Sequence, residues 1–446
     1  MNKNYTMNRL SHLIPGYRNP SLKRKFFPDL IYFLFLVAFP SSFFAFVPTD
    51  LFYDIRLVYW IIGMLYGILY IKYLKKIGRL VGGKLLILLV VFLIFRFLYS
   101  LIIDQIPLTE VITIFRTNFF YPIAALGFLL YAASMDNERI YRFFYWLILV
   151  MLILGVLYLF SNLTGKNIYA VISKEEFANF KGQLLLQNLS ALPRYHVILY
   201  VFGIFTVFTS KKSKYHFYWI IPFTFTVISI VRNQIIVYII IMVLFFIIGN
   251  LYIKEIKLAK TIKFIVIAFL AIVLLAIVFS SHVGRVLNKF GLDQSNVEFI
   301  ASNIEGGNYD FRIRLIEESY TRTKQNGNLL LGNGYTREAG KGGYDFVLGG
   351  DTLIAPVLFT EGFSGLILRV LPLFYFLFFG LKHLKSKFQL LKYFSFMMVI
   401  ILIPEIINIV QTSLFVLYTE ILFIFYLFMM IIYNNKRNPS VELNNL

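Results

Sequence analysis

The sequence predicts an all-α polytopic integral membrane protein. It has about twelve transmembrane helices and a large outward-facing loop subdomain between helices 9 and 10. Three observations predict this. The 446 residues are 59% hydrophobic and 15% charged, more apolar surface than a soluble fold of this size can hide. The apolar residues come in long runs separated by short basic connections. One stretch, Ser281 to Gly350, interrupts that rhythm with a polar, glycine-rich island. Loops much longer than about 15 residues usually carry function.

The elements follow in order. Residues 1–28 form a basic lead containing Lys23, Arg24 and Lys25. That lead is long for a cleaved signal peptide and no small-x-small site follows, so the run from Asp29 reads as an uncleaved first span. Spans 1 to 9 fill 29–280, at 29–48, 57–74, 85–103, 108–132, 141–161, 195–209, 216–231, 233–253 and 262–280. The loop takes 281–362. Spans 10 to 12 fill 363–433, at 363–381, 393–409 and 413–433, and 434–446 is a tail. Each span is expected to be helical, because hydrocarbon offers no partner to an unpaired backbone amide. The 30 Tyr and 49 Phe suit lipid-facing and interfacial positions.

Charge sets the orientation. Alternate connections are basic: Lys72 to Lys84, Arg139 and Arg142, Lys211 to Lys214, Lys254 to Lys263, and Lys382 to Lys392. With the lead and tail they hold more than half of the 43 lysines and arginines. Such loops face the cytoplasm, which puts both termini inside and the island outside. The net charge of +20 is therefore assigned to the membrane surface, with no nucleic acid partner expected. With no cysteine, disulfides, thiolate metal sites and a cysteine nucleophile are excluded.

Charged residues inside the spans point to a site. Arg96, Arg116, Arg369, Glu405 and Glu420 all fall about 6–12 Å from the outward ends of their helices. Arg56, Arg194 and Arg232 lie at the outer edge. An ionised group in lipid costs at least a few kcal/mol, so such residues face a cavity or a partner. One reading is snorkelling, together with Arg–Glu pairs that merely hold helices together. The one-sided distribution favours the other, a cationic chamber open to the outer leaflet. Arginine forks bind phosphate oxygens two at a time, so a phosphate or pyrophosphate headgroup would suit it.

The island has internal order. Tyr309 to Lys324 reads as an amphipathic helix with an Arg314–Glu318–Arg322 ladder, ended by Asn326-Gly-Asn328. Gly332-Asn-Gly334 makes a tight turn, and Gly340, Gly342, Gly343, Gly349 and Gly350 form a loose lead into span 10. Asp351 stands before a helical run, either as its N-cap or as a general base for a sugar hydroxyl.

Taken together, the pattern resembles the O-antigen polymerase and ligase superfamily. The resemblance rests on the long loop between spans 9 and 10 and on Arg314 followed by Gly332-Asn-Gly334. It rests further on Asp351-Thr-Leu-Ile leading to Glu361-Gly-Phe-Ser-Gly365, and more weakly on Ser229-Ile-Val-Arg232. It covers roughly residues 216 to 381; beyond these it is topological. It implies that Arg232 and Arg314 grip the pyrophosphate of an undecaprenyl-linked sugar donor. Arg312, Arg116, Arg96, Arg194 and Arg369 are further candidates for that anion, Gly332 and Gly334 shape the site, and Glu361 braces span 10. The ligase branch has His-Asn where this chain has Asp351-Thr352, which tilts the expectation toward a repeat-unit polymerase. Asp351 is then the first candidate base and Glu361 the second.

The expected chemistry is metal-independent, inverting glycosyl transfer, with arginine supplying the positive charge. Lipid-linked oligosaccharides would be donor and acceptor, in the bacterial cytoplasmic (inner) membrane, with a chain-length regulator as a further partner. Three alternatives stand beside it. A ligase would pass glycan to another acceptor. A metal-using glycosyltransferase would carry its carboxylate at Asp50 or Asp54 in the first outer loop. A flippase or transporter would show broken helices and charges near the midplane.

Overall fold

A computed structural model describes residues 61–118, 120–164, 178–180, 183–185, 195–209, 217–228, 232–257, 259–267, 270, 308–336, 354–407, 409 and 421–437. The longer helices are α1 (61–69), α2 (Gly83–Ile102), α3 (Leu108–Asn118), α4 (Tyr121–Ala132), α5 (Asn137–Thr164) and α6 (Tyr195–Thr209). They continue as α7 (Phe217–Ile228), α8 (Arg232–Tyr252), α9 (259–267), α10 (Asn308–Gln325), α11 (Ile354–His383), α12 (Gln389–Ile407) and α13 (Ile421–Arg437). Among the described residues, α2, α11 and α12 are long and apolar enough to cross a membrane, and several shorter helices are as apolar. Helices of this kind mark a membrane protein. The expected span at 29–48 and most of that at 262–280 lie outside the described residues, as do Arg56, Arg194, Glu420 and Asp351.

Two boundaries differ from expectation. The run 108–132 is two helices, α3 and α4, rather than one. Pro122 sits in the first turn of α4, where its missing N–H is harmless; inside a continuous helix its ring would clash with the preceding turn. Helix α11 starts nine residues before the expected edge at 363, and that edge coincides with a break in it at Gly362. Beside the helices stands one short ribbon, three residues to a strand, which leaves the expected all-α class in place. Ala178–Phe180 (β1) pairs antiparallel with Gln183–Leu185 (β2), in register Ala178 to Leu185, between α5 and α6 in the chain.

Helix α2 shows how the bundle sorts its residues. Leu86, Leu89, Leu93, Arg96 and Ser100 recur every three or four positions and are buried, whereas Leu88, Val91, Phe95 and Leu98 are exposed. Both faces are apolar, as expected of a helix with protein on one side and lipid on the other. The centre is filled by α4, α12 and the first part of α13, where residues 394–402 are buried almost without interruption. Around them α11 packs along α2 and α12, α6 along α7, and α10 docks on α11.

Helix α1 crosses α4 at its small residues. A Cβ on Gly127 would lie 1.8 Å from the Gly63 carbonyl oxygen, and one on Gly63 would lie 2.9 Å from the Ala124 Cα. Backbones this close gain van der Waals contact that larger side chains forbid. Beside the crossing, Tyr66 stacks on Tyr131 at 4.6 Å. Gly127→Leu is expected to push the helices apart and cost about 1–3 kcal/mol or more, read as a lowered Tm in detergent.

The bundle has two chemically distinct ends, about 30 Å apart along the 20 residues of α2. At one end Lys76 donates to the Ala133 carbonyl, Lys260 to the Phe208 carbonyl, and Tyr393 to Glu255 at 2.8 Å. Asn137 bonds Asn435 there, and Tyr426 reaches the Gly82 carbonyl. Basic connections from across the chain thus meet on one side. The opposite end, where α2 stops and the 326–336 turn docks, carries a buried polar cluster.

Candidate functional site

The cluster is built around the break in α11. Residues Ala355 to Gly362 are buried, and Gly362 adopts φ 64° and ψ −164°, a region essentially reserved for glycine. A break in a buried helix strands carbonyls on one side and amides on the other. Each stranded group must be paired, since a buried orphan costs about 1–3 kcal/mol. The turn at 328–334 meets this need. The amides of Asn333 and Gly334 donate to the carbonyls of Phe359 (2.7 Å) and Thr360 (3.2 Å). In return, the amides of Phe363 and Ser364 donate to the carbonyls of Leu329 (2.9 Å) and Leu330 (3.1 Å).

Such a zipper requires backbone to lie directly on backbone. A Cβ on Gly332 would meet the Glu361 and Gly362 amide nitrogens at 2.6 Å, and one on Gly362 would meet the Leu330 carbonyl oxygen at 2.5 Å. Gly332 and Gly334 also have φ of 74° and 87°. Between them, the Asn333 side chain accepts from Asn326 at 3.1 Å and donates to Thr323 at 3.4 Å, which ties the turn to the end of α10. The site-shaping role expected of this turn therefore has a concrete form: it is the partner of a broken helix.

Two fully buried arginines lock the junction. Arg96 donates to the carbonyls of Thr360 (3.1 Å) and Gly332 (2.9 Å) and to Asp104 Oδ2 (2.7 Å). One fork thus joins α2, the turn and the break. Arg369 holds Glu361 with two bonds of 2.8 and 2.7 Å. Gly365 lies between them on the same helix face, where a Cβ would come within 2.2 Å of the Glu361 Cβ. The spacing Glu361, Gly365, Arg369 is thereby explained: the carboxylate side chain lies along the restarted helix, over a position that has no side chain. Tyr335 donates to Glu361 Oε1 at 3.1 Å. Burial, with the Glu361 charge adding to it, pushes the Tyr335 hydroxyl well above the ordinary phenol range, so it stays a neutral donor. Thr336 donates to Glu110 at 2.9 Å and so pins the far side of the turn to α3.

The expected site residues fall into three groups. Arg96, Arg369, Glu361, Gly332 and Gly334 come together at the junction. Both arginines are inside the protein, away from lipid, and bound to protein acceptors. Both Glu361 oxygens are engaged as well, so bracing is the role its geometry displays. Arg314 and Arg312 lie on α10. Arg314 is exposed, one position off the buried stripe of Leu315, Ser319 and Thr323, while Arg312 is half-buried. Of the expected ladder, the Arg322–Glu318 pair forms at 2.6 Å. Arg232 begins α8 and Arg116 lies on α3, with side chains outside the described residues; Arg194 and Asp351 lie outside them entirely. Glu405 is buried in α12. Among the described residues no cluster of three or more His, Asp or Glu has metal-binding spacing.

Asp104, Tyr335 and Thr360 were not singled out by the sequence. Asp104 could have been, as a carboxylate eight residues after a buried arginine. Arg96→Lys is expected to destabilise by about 1–3 kcal/mol despite the conserved charge, since an ammonium cannot span three acceptors in a planar fork. Thermal melting of the purified protein in detergent checks it.

Fold and site together define a class: a helical membrane protein whose broken helix is closed by a glycine turn and clamped by buried arginines. No family model, curated protein or solved structure matches the chain.

Proposed function

We propose that the protein polymerises undecaprenyl-pyrophosphate-linked oligosaccharide repeat units of an O-antigen, capsule or exopolysaccharide, at the outer face of the bacterial cytoplasmic membrane. One observation carries the reading. The turn Gly332–Gly334 and the segment Glu361–Gly365, about thirty residues apart, are the two central pieces of the sequence resemblance, and they form a single joint. Helix α10, which bears Arg314, is packed on that joint. Asp351 precedes α11 by three residues in the chain.

In this reading the two buried arginines position and a second pair binds. Arg96 and Arg369 hold the joint, while Arg314 and Arg232 receive the donor's pyrophosphate. As the sugar–phosphate bond breaks, their guanidinium groups stabilise the charge growing on the leaving diphosphate. An acceptor hydroxyl attacks the anomeric carbon, gives its proton to Asp351 and inverts that carbon. Purified protein in liposomes, given lipid-linked repeat units with and without EDTA, should lengthen glycan in both conditions. Arg314→Ala and Arg232→Ala should each slow chain growth about 100-fold or more. Normal growth by either variant removes that arginine from the mechanism, and loss of activity in EDTA favours a metal-using transferase.

The break at Gly362 favours a second reading, a transporter of lipid-linked oligosaccharide, since discontinuous helices often line transport sites. Against it, the amides and carbonyls named above are satisfied by the turn rather than presented to a substrate. Translocation of labelled lipid-linked sugar without any gain in polymer length would select it.

A further inference from the structure

We infer that the turn Leu329–Leu331 is a membrane wedge: Leu330, flanked by Tyr320 and Phe363, inserts at the headgroup boundary of the leaflet on the loop side. Leu330 is 70% exposed, although Asn326 and Asn328 a few residues away are typical solvent-facing turn residues. Its position in the fold explains this exposure. After the break, α11 exposes Phe363, Ile367, Leu371, Phe374, Phe378 and Leu381, which share one helix face. Lys382 and His383 close that stripe at its far end. From Phe363 to Leu381 it runs about 27 Å, close to the hydrocarbon thickness of a bilayer, so Phe363 lies at the opposite boundary.

Leu330 continues this lipid-facing stripe. Its carbonyl accepts from the Ser364 amide, and that of Leu329 from the Phe363 amide, so the turn is held level with the first residues of the stripe. Tyr320 of α10 meets the Phe363 ring edge-on at 6.2 Å, and Lys324 stands 5.8 Å over the Tyr320 ring. A leucine, a tyrosine and a lysine grouped at the end of a lipid-facing stripe are side chains suited to a membrane interface. The occupant of the patch is therefore lipid. The wedge needs no sugar-transfer chemistry, and a transporter with the same turn would carry it equally.

The chain has no cysteine, so single labelling sites need no background removal. Nitroxide placed at Leu330→Cys, Tyr320→Cys, Thr321→Cys and Ile367→Cys in the full-length protein, reconstituted in phosphatidylethanolamine–phosphatidylglycerol vesicles, reads depth by power saturation. Ile367 serves as the hydrocarbon reference and the exposed Thr321 as the aqueous one. The expected result is oxygen contact exceeding contact with a water-soluble nickel chelate at 330 and 367, the reverse at 321, and an intermediate value at 320. Nickel contact at 330 equal to that at 321 would overturn the wedge. So would dipolar broadening at 330 that disappears on dilution with unlabelled protein, which would show a second copy of the chain covering the patch.

Discussion

Glu361→Gln is expected to destabilise the protein by about 3–5 kcal/mol, the scale for removing one partner of a fully buried ion pair. Both members are wholly inside the protein and the pair is bidentate, at 2.8 and 2.7 Å. Glutamine fits the volume but removes the negative charge to which the Arg369 fork is bonded, in a medium that cannot solvate a guanidinium. The companion variant discriminates between mechanisms. Glu361→Met with Arg369→Met and Tyr335→Phe removes both charges and the hydroxyl that would be left without its acceptor, while the unbranched methionine still passes over Gly365. This triple variant should recover most of the lost stability, because a buried pair replaced by apolar groups of similar volume is often neutral. Melting temperatures in one detergent check both. A triple variant as unstable as Glu361→Gln would mean that the network does more than neutralise itself. Under the proposed polymerase function, a stable triple variant that failed to extend glycan would show that the charges serve the reaction.

Gly362→Ala is the second large effect, at about 3 kcal/mol or more. Alanine at φ 64° and ψ −164° is strained on its own, by about 1–3 kcal/mol. Its Cβ would also sit 2.5 Å from the Leu330 carbonyl and force the zipper open. Gly332→Ala strikes the same contact from the other side, at 2.5 Å from the Thr360 carbonyl carbon. Once the joint is open the second methyl finds less to disturb, so the double variant should cost less than the sum of the two. The yield of monodisperse protein on size exclusion, with melting of whatever survives, provides the measure. Either alanine variant within about 0.5 kcal/mol of the parent would show that the close approach is not needed.

Much of the membrane architecture was legible in the chain. Helices α2 and α12 lie on the expected apolar runs, because in hydrocarbon a backbone can satisfy itself only as a helix. The edge expected at 363, between loop and span 10, falls at the break within α11. The motif Glu361-Gly-Phe-Ser-Gly365 was legible as a pattern, but its reason was not. That reason is a side chain running along the helix to Arg369, and no spacing rule says which carboxylate an arginine will choose. Arginines on one side of the spans suggested an open chamber, whereas the two whose side chains are described, Arg96 and Arg369, are forks closed on protein acceptors.

Composition dictated that this chain enters a membrane as helices, since 59% hydrophobic residues in long runs allow nothing else. Packing alone decided where its buried charges point. Arg96 draws its acceptors from residues 104, 332 and 360, and such pairings depend on which backbone segments a glycine lets into contact. Hydrophobicity acts residue by residue and can be read along a line. Hydrogen-bond partners are chosen by distance and angle in three dimensions, which a linear pattern does not encode.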